Sequence, residues 1–159
     1  MPPAPRSAPA FKPSLKGRAL RLLSMREHSR QELERKLAAH EETPGELQKV
    51  LDELQAMGFI SEQRVADSVL HRRAARLGAG RIRQELQAKG LEGEVVAQAM
   101  AQLKGTELER ARDVWRRKFD ALPEDAAQRA KQSRFLAARG FSGEVIRKVL
   151  AGGVGEDAE

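Results

Sequence analysis

Apolar residues return every three or four positions along this chain and never alternate. Leu47, Val50, Leu51 and Leu54 form one such stripe; Val96, Ala99, Met100 and Leu103 form a second, and Ile146, Val149 and Leu150 a third. That spacing gathers side chains on one face of an α-helix. Turning 100° per residue from Val65 likewise places Val65, Ala66, Val69, Leu70 and Leu77 in one arc. Strong helix formers are abundant and β-branched residues thin, so propensity agrees with periodicity. The pattern predicts an all-α fold, with helices over 14–25, 46–57, 62–77 and 107–119.

Punctuation supports those limits. Thr43, Pro44 and Glu46 read as a helix start: a hydroxyl cap, a proline in the first turn and a carboxylate three residues on. Ser29 with Glu32, and Thr106 with Glu109, have the capping-box spacing. Gly58, Gly90 and Gly140 follow apolar-periodic segments, where a residue without Cβ readily takes the left-handed conformation that ends a helix.

The segments also repeat. Glu32-Leu33-Glu34-Arg35-Lys36 lines up with Glu85-Leu86-Gln87-Ala88-Lys89 and with Phe135-Leu136-Ala137-Ala138-Arg139. A Gly-apolar-x-Gly-Glu-Val element follows the last two, from Gly90 to Val95 and from Gly140 to Val145. Helices this short do not bury their apolar faces alone, and such units stack on their neighbours. The expectation is tandem three-helix repeats in an elongated array, with a helical domain over 14–150 and units near 26–77, 78–120 and 121–150. Residues 1–13, rich in proline, and 151–159, acidic with glycine, are expected to be disordered tails.

Charge adds a partner class. The chain carries 29 Lys and Arg against 23 Asp and Glu, a formal net charge of +6, which favours a polyanionic surface, nucleic acid being the commonest. Between residues 64 and 89 the basic residues Arg64, Arg72, Arg73, Arg76, Arg81, Arg83 and Lys89 face only Asp67 and Glu85. Three arginines at 72, 73 and 76 cannot share a dry core unpaired. That end of the helix is therefore expected to join the Gly78–Arg83 turn in a basic patch. A bland alternative has the same arginines paired with carboxylates on a solvated face. Arg110, Arg112, Arg116, Arg117 and Lys118 form a second cluster around Leu108, Ala111, Trp115 and Phe119. Trp115 reads as a core anchor rather than a stacking platform, and Arg110 and Arg117 fall on the opposite face, free to meet solvent or a partner.

Catalytic signals are missing. The absence of cysteine excludes disulfides, thiolate metal sites and cysteine nucleophiles, and fits a reducing cytoplasm. His28, His40 and His71 form no metal-binding spacing and read as surface histidines. Neither a phosphate-binding P-loop nor a nucleophile elbow is present, and Gly78-Ala79-Gly80 reads as a flexible or capping turn. No catalytic residue, metal or cofactor is assigned, no run is apolar enough to span a membrane, and a monomer is the default.

One family carries these features together. The segment from Arg81 to Leu91, RIRQELQAKGL, resembles the R-I-x-x-E-L-x-x-K-G-I hallmark of the RecX family. Gly58-Phe59-Ile60-Ser61-Glu62 and Arg64-Val65-Ala66 resemble its G-[FY]-[IL]-[DN]-[DE]…[RA]-[FY]-A opening, and Arg139-Gly140-Phe141 its later R-R-G-F element. Order and spacing agree from about Leu15 to Leu150. Ser61, Val65, Val69 and Ala138 depart from the family pattern. The resemblance implies a curved array of three-helix repeats that binds the RecA recombinase and its single-stranded DNA filament. It further implies limited filament growth or promoted disassembly, with damped ATP hydrolysis, strand exchange and SOS repressor cleavage. Direct DNA contact is open at this point. Contact residues are then expected among Arg64, Arg72, Arg73, Arg76, Arg81, Arg83, Lys89, Arg110, Arg116, Arg117 and Lys118. A helical DNA-binding regulator without a recombinase partner and a solenoid protein adaptor are the alternatives.

Overall fold

A computed structural model describes residues 2–3 and 12–152. Of the expected tails, 1–13 and 151–159, only residues 2–3, 12–13 and 151–152 fall within the described residues, and Ala151 belongs to the last helix. Among the described residues the regular structure is entirely helical. Nine α-helices follow in order: α1 Leu15–Met25, α2 Arg30–Leu37, α3 Glu46–Ala56, α4 Glu62–Arg73, α5 Ala79–Ala88, α6 Glu94–Lys104, α7 Glu107–Lys118, α8 Ala126–Ala138 and α9 Gly143–Ala151. A short 3-10 turn, Ala38–His40, follows α2. None of them is long and apolar enough to cross a membrane.

The chain divides into two compact units, residues 1–61 and 62–159. In the first, α1, α2 and α3 enclose Leu15, Ala19, Leu33, Leu37, Leu47, Leu51, Leu54 and Ile60. The second holds two adjacent three-helix bundles. One closes α4, α5 and α6 around Val65, Val69, Ile82, Leu86, Leu91, Val96 and Leu103. The other closes α7, α8 and α9 around Ala111, Val114, Leu136, Phe141, Ile146, Val149 and Leu150.

This grouping differs from the expected units 26–77, 78–120 and 121–150. Segment 62–77 opens the bundle it shares with α5 and α6, and α7 opens the last bundle rather than closing the one before. The reason lies in the buried faces. Val65 and Val69 are spent against the α5 and α6 stripes, while Ala111 and Val114 turn toward α8 and α9. The sequence repeat itself is visible in the packing: Leu86 and Leu136 occupy matching buried positions, as do Leu91 and Phe141. One matching pair breaks the pattern. Where Ile82 is buried in the α4–α6 bundle, the last bundle buries Gln132, whose Oε1 accepts from the Trp115 indole N–H at 2.8 Å and whose amide donates to the Ala121 carbonyl at 3.1 Å. Trp115 is thus a half-buried anchor, and its polar edge explains a glutamine in a core.

Helix ends follow the expected chemistry at some points and replace it at others. Ser29 and Glu32 form a complete capping box, and Ser14, Asp125 and Ser142 cap α1, α8 and α9. Gly58, Gly90 and Gly140 all take the left-handed conformation. The other two predicted starts are corrected. Gly45, not Thr43, precedes α3, and the Leu47 N–H donates instead to the Glu41 carboxylate at 2.9 Å. Thr106 precedes α7 without accepting a backbone N–H; its hydroxyl accepts from Arg110 Nε at 3.0 Å. Helix α4 stops at Arg73, short of the predicted Leu77, and beyond its end the Ala74 and Leu77 carbonyls accept from the Arg110 guanidinium at 2.8 and 2.7 Å.

His28 is the other correction. It is buried, with Nδ1 3.0 Å from the Arg26 carbonyl and Nε2 3.4 Å from Lys36 Nζ. Burial holds its imidazole below the ordinary value; the Arg26 and Lys36 charges act the same way, and the Arg26 carbonyl and Glu32 oppose them. His40 and His71 are exposed, as expected.

Candidate functional site

The basic residues singled out from sequence fall into two very different settings, both within residues 62–152. The first is a seam where the two bundles of the second unit meet. The start of α5 abuts the end of α8: Gly78 N–H donates to the Arg139 carbonyl at 2.7 Å, Gly80 N–H to the Gly140 carbonyl at 3.0 Å, and the Arg81 guanidinium to the Ala138 carbonyl at 2.8 Å. Free N–H groups at a helix start thus meet free carbonyls at a helix end, and the two opposed dipole ends complement each other.

Backbones can approach this closely only without side chains. A Cβ on Gly78 would stand 2.5 Å from the Gly140 oxygen and the Phe141 nitrogen. At Gly140, φ is +94° and a Cβ would stand 2.5 Å from the Arg81 nitrogen. The Gly78-Ala79-Gly80 turn is therefore a docking surface for backbone, a role that the expected flexible or capping turn did not include.

Arg110 and Glu107 lock the same seam. The Glu107 carboxylate accepts the Ala79 N–H at 3.0 Å and pairs with the Arg110 guanidinium. Arg110 also reaches the Ala74, Leu77 and Leu103 carbonyls. Both side chains are largely buried. Arg110, expected to be free for a partner, is instead internal, held by the Glu107 carboxylate and by the carbonyls released where α4 ends.

The second setting is a cleft of about 280 Å³ between the turn after α4 and helices α7 and α8. It is lined by Arg76, Val114, Arg117, Lys118, Phe135 and Arg139, with no carboxylate among them. Arg139 lies over the Phe135 ring at 4.9 Å from its centroid, and Lys118 Nζ at 5.8 Å. Phe119 meets the ring edge-on at 5.3 Å. These cation–π contacts hold the two charged heads over the cleft. All four cations are exposed; the Arg117 guanidinium makes one long contact, 3.5 Å, to the Ala75 carbonyl.

The remaining predicted residues scatter. Arg73 Nε is buried, with Glu85 as charge partner at 3.4 Å but no hydrogen-bonded acceptor. Arg116 pairs with Asp113 at 2.9 Å. Arg64 and Arg72 are exposed on α4, Lys89 is half-buried at the end of α5, and none of the three lines the cleft. Arg83 sits at the rim of a larger cavity, about 480 Å³, walled by Met100, Leu108 and Val145. Sequence reasoning missed Arg139, although its place in the R-G-F element put it beside the seam. It also missed a small basic cavity in the first unit, about 220 Å³, where Arg18, Arg21, Lys36 and His40 gather; the three-residue spacing of Arg18 and Arg21 was the available signal. No group of His, Asp and Glu among the described residues is arranged to hold a metal ion.

Comparison with known proteins bears on this architecture directly. Three family profiles match in chain order: the RecX first three-helix domain over residues 16–54, the second over 61–100 and the third over 106–150. The chain belongs to the RecX family. It is 57% identical over 137 residues to a protein from Leptothrix cholodnii named regulatory protein RecX, covering 86% of this chain and 87% of that one. A Ralstonia nicotianae protein of the same name is 48% identical, covering 87% of each chain. In fold, the chain is similar to the crystal structure of RecX from Lactobacillus salivarius, with a TM-score of 0.72 at 19% identity, covering 87% of this chain and 93% of that one. All-helical, tandem three-helix architecture and RecX regulatory membership therefore agree.

Proposed function

We propose that this RecX-family chain is a non-enzymatic, mainly negative modulator of the RecA recombinase, acting in the cytoplasm as a monomer on the recombinase filament assembled on single-stranded DNA. The observation carrying this reading is the ordered presence of all three RecX three-helix domains across one chain. Basic side chains at several points along a modular body suit a polymeric, anionic target, because weak contacts to successive subunits multiply in effect. Binding limits filament growth or promotes disassembly, and so lowers the activities that need an intact filament: ATP hydrolysis, strand exchange and SOS repressor cleavage. The predicted contact set, Arg64, Arg72, Arg73, Arg76, Arg81, Arg83, Lys89, Arg110, Arg116, Arg117 and Lys118, narrows with the geometry. Arg81 and Arg110 serve the seam, leaving the exposed members as contacts.

Binding to preformed filaments tests the reading. Wild-type protein is expected to co-sediment with filaments of recombinase on single-stranded DNA, and the combined Arg72→Ala, Arg73→Ala, Arg76→Ala variant to do so several-fold more weakly at unchanged helicity. Absence of wild-type co-sedimentation at micromolar protein contradicts the proposal; unchanged binding of the variant moves the contact away from the end of α4 and the turn that follows it.

A further inference from the structure

Helix α9 ends at a small recess of about 130 Å³, lined by Arg112, Trp115, Arg116, Leu122, Val149 and Gly152. Its floor is apolar: Val149 is buried, Trp115 is half-buried and Leu122 stays exposed. Its edge is basic, with Arg112 and Arg116 one turn apart on α7. Gly152 takes the left-handed conformation, φ +71°, which turns the chain out of the helix. Leu122 lies so near that a Cβ on Gly152 would collide with it. The last described residue is thus itself a wall of the recess, and the chain that follows starts there.

Beyond Gly152 the sequence runs GVGEDAE, with one branched apolar side chain at Val154, then carboxylates at Glu156, Asp157 and Glu159, and no cation. We propose that this segment folds back on its own chain, Val154 filling the recess and the carboxylates following the Arg112–Arg116 edge of α7. Three observations select this occupant. The first is reach: Val154 is about 7 Å of extended chain from Gly152 and the last carboxylate within about 24 Å, while Arg112 and Arg116 are about 6 Å apart along their helix. The second is size: about 130 Å³ falls well below the roughly 300–1,000 Å³ of sites that enclose a whole small ligand, and suits one valine-sized side chain. The third is charge, an acidic segment against a basic edge. Asp113 already pairs with Arg116 at 2.9 Å, but both side chains are more than half exposed, and such pairs contribute little. An arriving carboxylate therefore shares that guanidinium without breaking a strong pair. A tethered segment also has an advantage over a separate partner, because its effective concentration is about millimolar and a weak contact is enough.

Arg116 is an expected filament contact, so the docked segment competes with the filament for it. That consequence rests on the filament reading, whereas docking itself is measured without recombinase, and the two can fail separately.

Trp115 is the only tryptophan in the chain, so its fluorescence reads the recess directly. Acrylamide quenching of the full chain is compared with a chain ending at Gly152, with Val154→Ser, and with the combined Glu156→Gln, Asp157→Asn, Glu159→Gln variant. None of these changes touches a buried residue of the last bundle, and far-UV circular dichroism should be unchanged. Ending the chain at Gly152 should raise the quenching constant about twofold, because the docked state leaves the average. Val154→Ser should do nearly as much, and the charge-neutral variant about half as much, an increment that added salt reproduces in the wild type by screening. Acetylated GVGEDAE peptide, added at about millimolar concentration to the shortened chain, should restore the shielding. An unchanged quenching constant in the shortened chain would overturn the proposal. So would a rise on shortening that neither the Val154 nor the carboxylate variant reproduces. Shielding that grows with protein concentration would assign the recess to a second copy and overturn the intrachain contact.

Discussion

The seam and the cleft are made from arginines that the sequence presents as equivalents. Arg110 and Arg117 sit two turns apart on α7, and Arg76 and Arg81 flank one short turn, yet their fates diverge. Arg110 spends its donors on the Glu107 carboxylate and three backbone carbonyls, and Arg81 on the Ala138 carbonyl. Arg76, Arg117, Lys118 and Arg139 instead line a cleft without a counter-charge. What separates the two groups is the supply of acceptors. At the seam, the Glu107 carboxylate and the carbonyls at helix ends engage the guanidinium groups; the cleft is lined by no carboxylate and offers Arg117 only one long carbonyl contact, so its charge stays available. Substitutions in the seam are therefore expected to cost stability, and substitutions in the cleft to cost binding.

The largest effect is expected at the backbone approach itself. Gly140→Ala adds a Cβ at a positive φ and 2.5 Å from the Arg81 nitrogen, so the two bundles must part or strain. A loss of about 3 kcal/mol or more in urea unfolding is expected, whereas a loss under 1 kcal/mol would mean the seam yields cheaply. Arg110→Ala should follow, at about 3 kcal/mol, because it leaves the largely buried Glu107 carboxylate unpaired. The double variant Glu107→Gln, Arg110→Met should recover part of that loss; equal destabilisation would point to the Ala74 and Leu77 carbonyls as the dominant cost. The cleft variant Arg76→Ala, Arg117→Ala should shift unfolding by about 0.5 kcal/mol or less, as exposed residues do. A shift as large as that of Arg110→Ala would erase the distinction.

His28, in the first unit, offers a smaller effect that involves neither region. Its folded value lies below the ordinary one because it is buried, so the folded state resists protonation more than the unfolded chain does. Neutral His28 therefore contributes stability that is fully present above about pH 6.5 and is lost as pH falls through the lowered folded value. Unfolding of the wild type at pH 7.5 and 5.5 should show a greater acid loss than unfolding of His28→Gln. Parallel losses would assign the acid sensitivity to other groups.

Much of the fold could be read from the chain because its signals are local. Apolar stripes, the Ser29–Glu32 box and the helix-ending glycines at 58, 90 and 140 each depend on residues within one or two turns, and the structure keeps them all. Expectations failed where a distant partner decided the outcome. Thr106 looked like a cap, but Arg110 engages its hydroxyl. Helix α4 looked four residues longer, but its last carbonyls serve α7. Arg110 looked solvent-facing, since a helical wheel shows only one helix. Membership of α7 in the last bundle depends on which neighbour its apolar face meets, and a repeat in sequence does not fix where one bundle stops. The same holds for the site: both basic clusters were visible in the sequence, but sorting them into seam and cleft required knowing where the carbonyls lie.

The central claim, regulation at the level of the recombinase filament, is tested most directly by RecA ATP hydrolysis on excess single-stranded DNA while this protein is titrated upward from far below stoichiometry. The account predicts inhibition at well under one molecule per recombinase subunit, since stopping or dismantling a filament silences many subunits at once. No inhibition, or inhibition only when the protein saturates the DNA, would contradict it.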